Sequence, residues 1–302
     1  MAVIIEQVGL LFAFVVLGYV LAVTKKADSK HSKLLSVLGF YIFLPSNVFK
    51  TFSQNFTVEY LSQKYPIVLI SVVFVLVMYL ISKPASKLLS KNSYQQKVYQ
   101  YSMISPNYGY MGYAFAGSVF GSEVLLDVMM FALPLSIYTY TVGYCSLTDA
   151  KPTVKKLLSP VNIALLSGAV VGLLGIPVPA FAGNLLSKST ACMGPVSMLL
   201  TGMVISEYRL RDIFTNRSVY AMTALRLLVI PCAVAGILRL MGLEYAVLPT
   251  LTTLAMSCGM NTIVFPKLIG EDCKTGAALA CISTICCCIT IPFCLWLFGI
   301  GI

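Results

Sequence analysis

The chain has 302 residues, 58% of them hydrophobic and 11% charged, with a formal net charge of +10 at pH 7. With a mean hydropathy of +0.88, this is a protein whose solvent is mostly lipid, and little sequence remains for a water-soluble domain. The charge does not point to nucleic acid, because it falls in short loops beside apolar runs, where membrane topology and anionic headgroups account for it.

In chain order, apolar windows near the length of about 17–25 residues that spans hydrocarbon are expected at 3–23, 34–52, 66–82, 98–120, 124–147, 160–180, 190–206, 218–240, 245–268 and 275–299. The first run has Glu6 before it and Lys25-Lys26 after it, without a basic start or a small-residue cleavage site, so it reads as a retained helix and not a signal peptide. Segment 181–190 reads as a short interfacial helix between spans 6 and 7. The loops after spans 1, 3, 5, 7 and 9 hold most of the 21 Lys and Arg residues, among them Lys25, Lys83, Lys91, Lys151, Lys155, Lys156, Arg209, Lys267 and Lys274. The alternate loops and span ends hold only Lys50, Lys64, Lys188 and Arg239. Because Lys and Arg accumulate on the cytoplasmic side, both termini are expected outside, in a multi-pass protein of a plasma membrane or bacterial inner membrane.

The basic loop 149–159 divides the chain into two five-span blocks, 1–148 and 160–302. An odd number of spans per block makes the second block enter from the opposite side, so blocks of one fold would be inverted repeats. Corresponding features support that arrangement. The fourth span of each block is interrupted, by Ser105-Pro106-Asn107-Tyr108-Gly109 and by Ser257-Cys258-Gly259-Met260-Asn261. Each interrupted span ends in a glycine and acidic turn, Gly121 to Glu123 and Gly270 to Asp272; the second spans carry Pro45 and Pro195, and the fifth Pro134 and Pro292.

Several motifs occur in a telling order: Ser105-Pro106-Asn107 with Met111-Gly112 and Phe120-Gly121; Ser159-Pro160-Val161-Asn162; Arg226 with Leu227, Leu228 and Pro231; and Ala255 to Asn261 followed by Gly270 and Asp272. On these the chain resembles the auxin efflux carrier family, which includes the plant PIN proteins and bacterial malate and malonate permeases. The resemblance implies an all-α integral membrane fold of ten transmembrane helices, two inverted five-helix repeats with crossing broken helices 4 and 9. The chain departs from its relatives at Ser257 and Tyr113, where they often have proline, and the first departure leaves Gly259 to supply flexibility at the second break.

A break inside a membrane helix leaves free N–H groups with partial positive charge at one half-helix end and free carbonyls at the other. Pro106 removes an N–H and a regular backbone bond, while Asn107 and Asn261 offer donors and acceptors beside the breaks. Pro106, Asn107, Tyr108, Gly109, Ser257, Gly259 and Asn261 are therefore the candidate binding residues for a small carboxylate; alternatively the asparagines only satisfy freed backbone groups. Asn47 beside Pro45, Asn162 beside Pro160, and Arg226 form a second tier. Arg226 reads either as an anion attractor or gate, or as a side chain that ties helices together or snorkels to the cytoplasmic interface. Tyr108, Tyr110 and Tyr113 would line a path or pack against neighbouring helices.

No span centre carries a clear Asp or Glu, Asp127 lying near the start of span 5, which argues against a cation/proton antiporter. His31, the single histidine, belongs to a basic loop. The ten cysteines form no paired metal framework and read as packing residues, so neither a metal nor another cofactor is expected. Without a nucleophile and base, ligand set or nucleotide loop, an enzyme is the weakest reading. The expectation is a permease moving small organic anions, mono- or dicarboxylates, by alternating access, with membrane lipid around it and no nucleic-acid partner. Glycines such as Gly168 and Gly172 would pack helices within one subunit or between two, in a homodimer. The alternatives are a sodium-coupled symporter of amphipathic or sterol-like anions, and a non-transporting receptor or scaffold.

Overall fold

The computed structural model describes residues 2–149, 160–268 and 273–300, and among these residues it contains helices and no named strand. The first half comprises α1 (Ala2–Val23), α2 (Ser29–Leu38), α3 (Leu44–Asn55), α4 (Val58–Leu89), α5 (Ser93–Ile104), α6 (Tyr113–Val119), α7 (Gly121–Tyr138) and α8 (Tyr144–Thr148). The second comprises α9 (Pro160–Leu173), α10 (Ala180–Ser206), α11 (Leu210–Phe214), α12 (Arg217–Ala224), α13 (Ile230–Leu240), α14 (Glu244–Leu254), α15 (Asn261–Leu268) and α16 (Lys274–Leu297). Among the described residues seven stretches are long and apolar enough to cross a membrane, beginning at Ile5, His31, Val58, Gly121, Ala180, Arg217 and Lys274. Leu69, Val73, Leu76 and Leu80 of α4 recur at helical spacing and are all exposed, as a lipid-facing stripe requires. The protein is a multi-pass membrane protein.

Among the described residues four π-helical turns, at Gly39–Phe43, Tyr108–Gly112, Thr139–Gly143 and Leu225–Val229, join successive α segments, and each lies close to a proline. The chemistry is explicit at Pro231. A proline there cannot donate to the Leu227 carbonyl one turn back, and that oxygen instead accepts from Cys294 Sγ at 3.5 Å.

Several sequence expectations need correction. Segment 181–190 is no separate interfacial helix: α10 runs unbroken from Ala180 to Ser206, 27 residues, with Pro195 inside it. Its Asn184, Ser187 and Lys188 interrupt the apolar run without breaking the backbone, since none of the three prevents helical hydrogen bonding. Span 3 is longer than its apolar window, because Thr57 caps α4 by accepting from the Tyr60 amide at 3.1 Å and carries the helix back past Lys64. Span 6 is shorter. The α9 helix ends in a Schellman turn, with Gly175 at φ +62° and the Ile176 amide on the Val171 carbonyl at 3.0 Å, and Pro177 and Pro179 prevent it from resuming at once. His31 lies in α2, where its Nδ1 meets Asp28 Oδ1 at 2.8 Å. Lys151, Lys155, Lys156, Ser159, Gly270 and Asp272 lie outside the described residues.

Two helix pairs touch backbone to backbone. α1 lies along α10, where a β-carbon on Gly18 would overlap the Leu199 carbonyl and one on Gly202 the Val15 carbonyl. α3 lies along α9, where Gly168 abuts Phe49 and Gly172 the carbonyls of Phe52 and Phe56. Gly168 and Gly172 thus pack within one subunit, and the small residues are what let these axes approach so closely.

Candidate functional site

Both interruptions are real breaks, and they meet. The α5 helix ends at Ile104, and the chain resumes as a π turn at Tyr108 that leads into α6; α14 ends at Leu254, and α15 begins at Asn261. Across the gap the Asn107 amide donates to the Ser257 carbonyl at 2.8 Å, and Pro106 pairs with Cys258 as an isolated antiparallel bridge. Two extended turns of backbone therefore satisfy each other at the point where neither helix can continue. Gly259 is not in the left-handed region, so no unusual backbone angle is needed there. A β-carbon added there would come into ordinary contact with the carbonyl oxygens of Ser105 and Pro106, so space does not demand a glycine either. The break at Ser257 is complete without a proline.

The two breaks are stabilised differently. At the first, hydroxyls form a chain: Ser105 Oγ lies 2.6 Å from Thr139 Oγ1 and donates to Tyr101 Oη at 3.2 Å, and Asn261 Nδ2 donates to the same Tyr101 oxygen at 3.1 Å. At the second, the Cys258 amide donates to Ser283 Oγ at 2.9 Å, and Arg226 Nη1 donates to the Leu254 carbonyl, the last of α14. Arg226 does not snorkel. It is 0% exposed, and its Nε and Nη2 find no protein partner among the described residues. The π turn Leu225–Val229 that contains it shifts the helical register, which is how a residue eight positions from Ser218 comes to face inward.

Pro106, Asn107, Tyr108, Gly109, Gly259 and Asn261 line one cavity with Tyr110, Tyr113, Ser136 and Tyr140, and Ser257 lies just behind it, with its Oγ 3.4 Å from Asn107 Nδ2. Among the described residues neither an acidic nor a basic side chain lines it. The volume is about 30 Å³, room for a water or two and not for a carboxylate. The amides of Tyr108, Gly109 and Tyr110 open the second half-helix here, while the Asn107 carbonyl accepts from Met111 and Gly112 at 3.2 and 3.0 Å. Tyr108 is held by a 3.0 Å contact between its hydroxyl and Ser136 Oγ. Asn162 does not line this cavity, and Asn47 belongs to a larger one nearby, walled by α1, α3, α6 and α10.

Sequence reasoning missed the tyrosine and hydroxyl residues that hold the breaks in place. Tyr101 lies four residues before Ser105, a helical spacing that marks a shared face, but its partners Thr139 and Asn261 are remote in sequence. Also missed was a partly buried cluster between α4 and α7: Asp127 accepts from Tyr60 Oη at 2.6 Å and Lys64 Nζ at 2.9 Å, the latter two one turn apart on α4. Among the described residues no group of three or more His, Cys, Asp and Glu gathers as metal ligands do.

Residues 3–152 and 147–295 each match the sequence model of a family described as membrane transport protein. An uncharacterized transporter of Methanocaldococcus jannaschii is 26% identical over 298 residues, which cover 92% of this chain and 94% of that one.

Proposed function

Because the chain belongs to the membrane transport protein family, the auxin efflux carriers, and is thus a membrane transporter, we propose that it is a permease for small organic anions, mono- or dicarboxylates, working by alternating access. The observation that carries the anion reading is the meeting of the two breaks. Amide-rich half-helix ends and two asparagines converge on a cavity with no acidic lining, an environment that favours a carboxylate through N–H groups and helix ends. In this reading Asn107 and Asn261 orient the anion. Arg226 holds the carbonyl end of α14 and keeps a cation behind the crossing.

We read the architecture as two inverted five-helix repeats related by a pseudo-two-fold axis. Two successive family matches support it, as does the pattern of neighbours. Exchanging the first five passes for the last five turns the pair α1 and α10 into α9 and α3; it likewise turns α4 with α5 and α7 into α13 with α14 and α12 with α16. All of these pairs are in contact. The backbone-interlocked helices α1, α3, α9 and α10 would form the static part, and the broken helices with their neighbours the moving part. The crossing cavity, closed at about 30 Å³, would then open in other states of the cycle.

The test is uptake by proteoliposomes of a panel of mono- and dicarboxylates, aromatic acids and amphipathic anions, each with and without sodium. Uptake of one carboxylate class that is independent of sodium and abolished in Asn107→Ala, at normal yield of folded protein, is expected. Uptake confined to sterol-like anions with sodium, or unchanged in Asn107→Ala, would overturn it.

A further inference from the structure

The crossing is not the roomiest cavity in its neighbourhood. A cavity of about 400 Å³ opens between α1, α3, α6 and the first half of α10, at the end of the bundle where α1 begins and α3 ends. That volume lies within the range of metabolite sites, about 300–1,000 Å³. Among its described lining residues Lys50 is the one charged side chain, and it has no acidic partner among the described residues. One turn earlier on the same face of α3 is Asn47. It is 2% exposed, and its amide donor is spent on Met193 Sδ at 3.4 Å, a weak acceptor, while its Oδ1 has no partner. Across the cavity the buried Thr190 Oγ1 is likewise unpartnered. An amide oxygen buried without a donor is destabilising, a cost that makes sense where a ligand supplies the donor. Leu10, Leu11, Phe14 and Met193 give the wall an apolar side, while Gln7 and Gln54 add neutral polar groups.

We propose that this cavity is a second binding site, a vestibule for organic carboxylates that carry an apolar body and a hydroxyl or N–H donor. Lys50 takes the carboxylate, and Asn47 Oδ1 accepts from the donor. The crossing offers neutral amides, whereas the vestibule offers a full positive charge, so the vestibule captures anions from water and the crossing passes them. Tyr113 lines both cavities and forms the partition between them. The order of the two sites rests on the transport reading; binding at Lys50 does not.

The probe is 4-hydroxyphenylacetate, titrated calorimetrically into the full-length protein in detergent, with 4-hydroxyphenylacetamide as the uncharged control. Saturable binding of the acid and none of the amide is expected. Lys50→Met should weaken it about tenfold or more, as loss of one charge contact of about 1.4 kcal/mol predicts, at an unfolding temperature near wild type. Lys50→Arg should stay within about threefold of wild type, since the charge is kept. Absence of saturable binding to the wild type at about millimolar probe, where binding is worth only about 4 kcal/mol, would overturn the vestibule, and so would equal affinity in Lys50→Met. Retained Lys50-dependent binding in a protein whose Asn107→Ala variant still transports would instead sink the crossing reading and leave the vestibule standing.

Discussion

Arg226→Met separates what a buried guanidinium does for stability from what it does for transport. In the wild type the charge is fully removed from solvent, Nη1 bonds the Leu254 carbonyl, and Nε and Nη2 lack protein partners among the described residues. Burying an ion costs several kcal/mol even after relaxation, and one charge-assisted hydrogen bond returns about 1.5–3 kcal/mol. Methionine has a similar length and no charge. It would relieve the desolvation and orphan the Leu254 oxygen at about 1–3 kcal/mol. The two terms leave the variant between unchanged and about 3 kcal/mol more stable. At about 2 °C per kcal/mol for a chain of this size, the unfolding midpoint in detergent should stay put or rise by up to about 6 °C, while proteoliposome uptake is lost. A fall of more than about 4 °C would refute the reasoning, because it would mean that the guanidinium is a net stabiliser by about 2 kcal/mol. Undiminished uptake would refute its functional part.

Asp127→Asn should lower stability by about 1–3 kcal/mol, since the side chain is nearly buried and serves both Tyr60 and Lys64. In a double-mutant cycle with Lys64→Met the coupling should be about 1–2 kcal/mol, between the values for exposed and buried pairs; a coupling near zero would make the pair incidental. Gly172→Ala drives a β-carbon into the carbonyls of Phe52 and Phe56 and should cost about 1–3 kcal/mol or more, seen as low yield of folded protein. Gly236→Ala in α13 meets nothing within 4 Å and should be neutral or stabilising by about 0.5–1 kcal/mol; similar losses in both would show that helix propensity and not packing decides. Cysteines introduced at Lys50 and Lys91 should react with impermeant maleimide from opposite sides of the membrane, and labelling from one side would overturn the topology.

The breaks were legible because proline, glycine and asparagine act locally: Pro106 and the run from Ser257 to Asn261 announce a helix end wherever they stand in an apolar run. For Arg226 the snorkelling alternative fails and the helix-tying one does not, since its guanidinium bonds the Leu254 carbonyl. A position eight residues past Ser218 reaches the interface only from a regular helix, and the π turn at Leu225–Val229 breaks that regularity. Lys64 was assigned to a loop because apolar windows measure lipid contact and not helix length, while α4 projects beyond its window on a Thr57 cap. The polar face of α10 misled in the opposite direction, toward a separate helix. Asn261 on Tyr101 and Lys64 on Asp127 join residues 160 and 63 positions apart, and no local pattern encodes such pairs.

The glycine contacts of α1 with α10 and of α3 with α9 act like meshed teeth. A slide of α1 along α10 by a fraction of a turn would bring the Val15 carbonyl out of the notch at Gly202 and against the β-carbon of a neighbouring residue, and the same holds for Phe52 and Phe56 over Gly172. Backbone has no rotamers with which to yield, so these two seams resist shear far more than a seam of leucines would. Whatever movement opens the crossing must find its slip plane elsewhere, and where α10 meets α6, Gly194 faces the Ala114 methyl and not a backbone carbonyl.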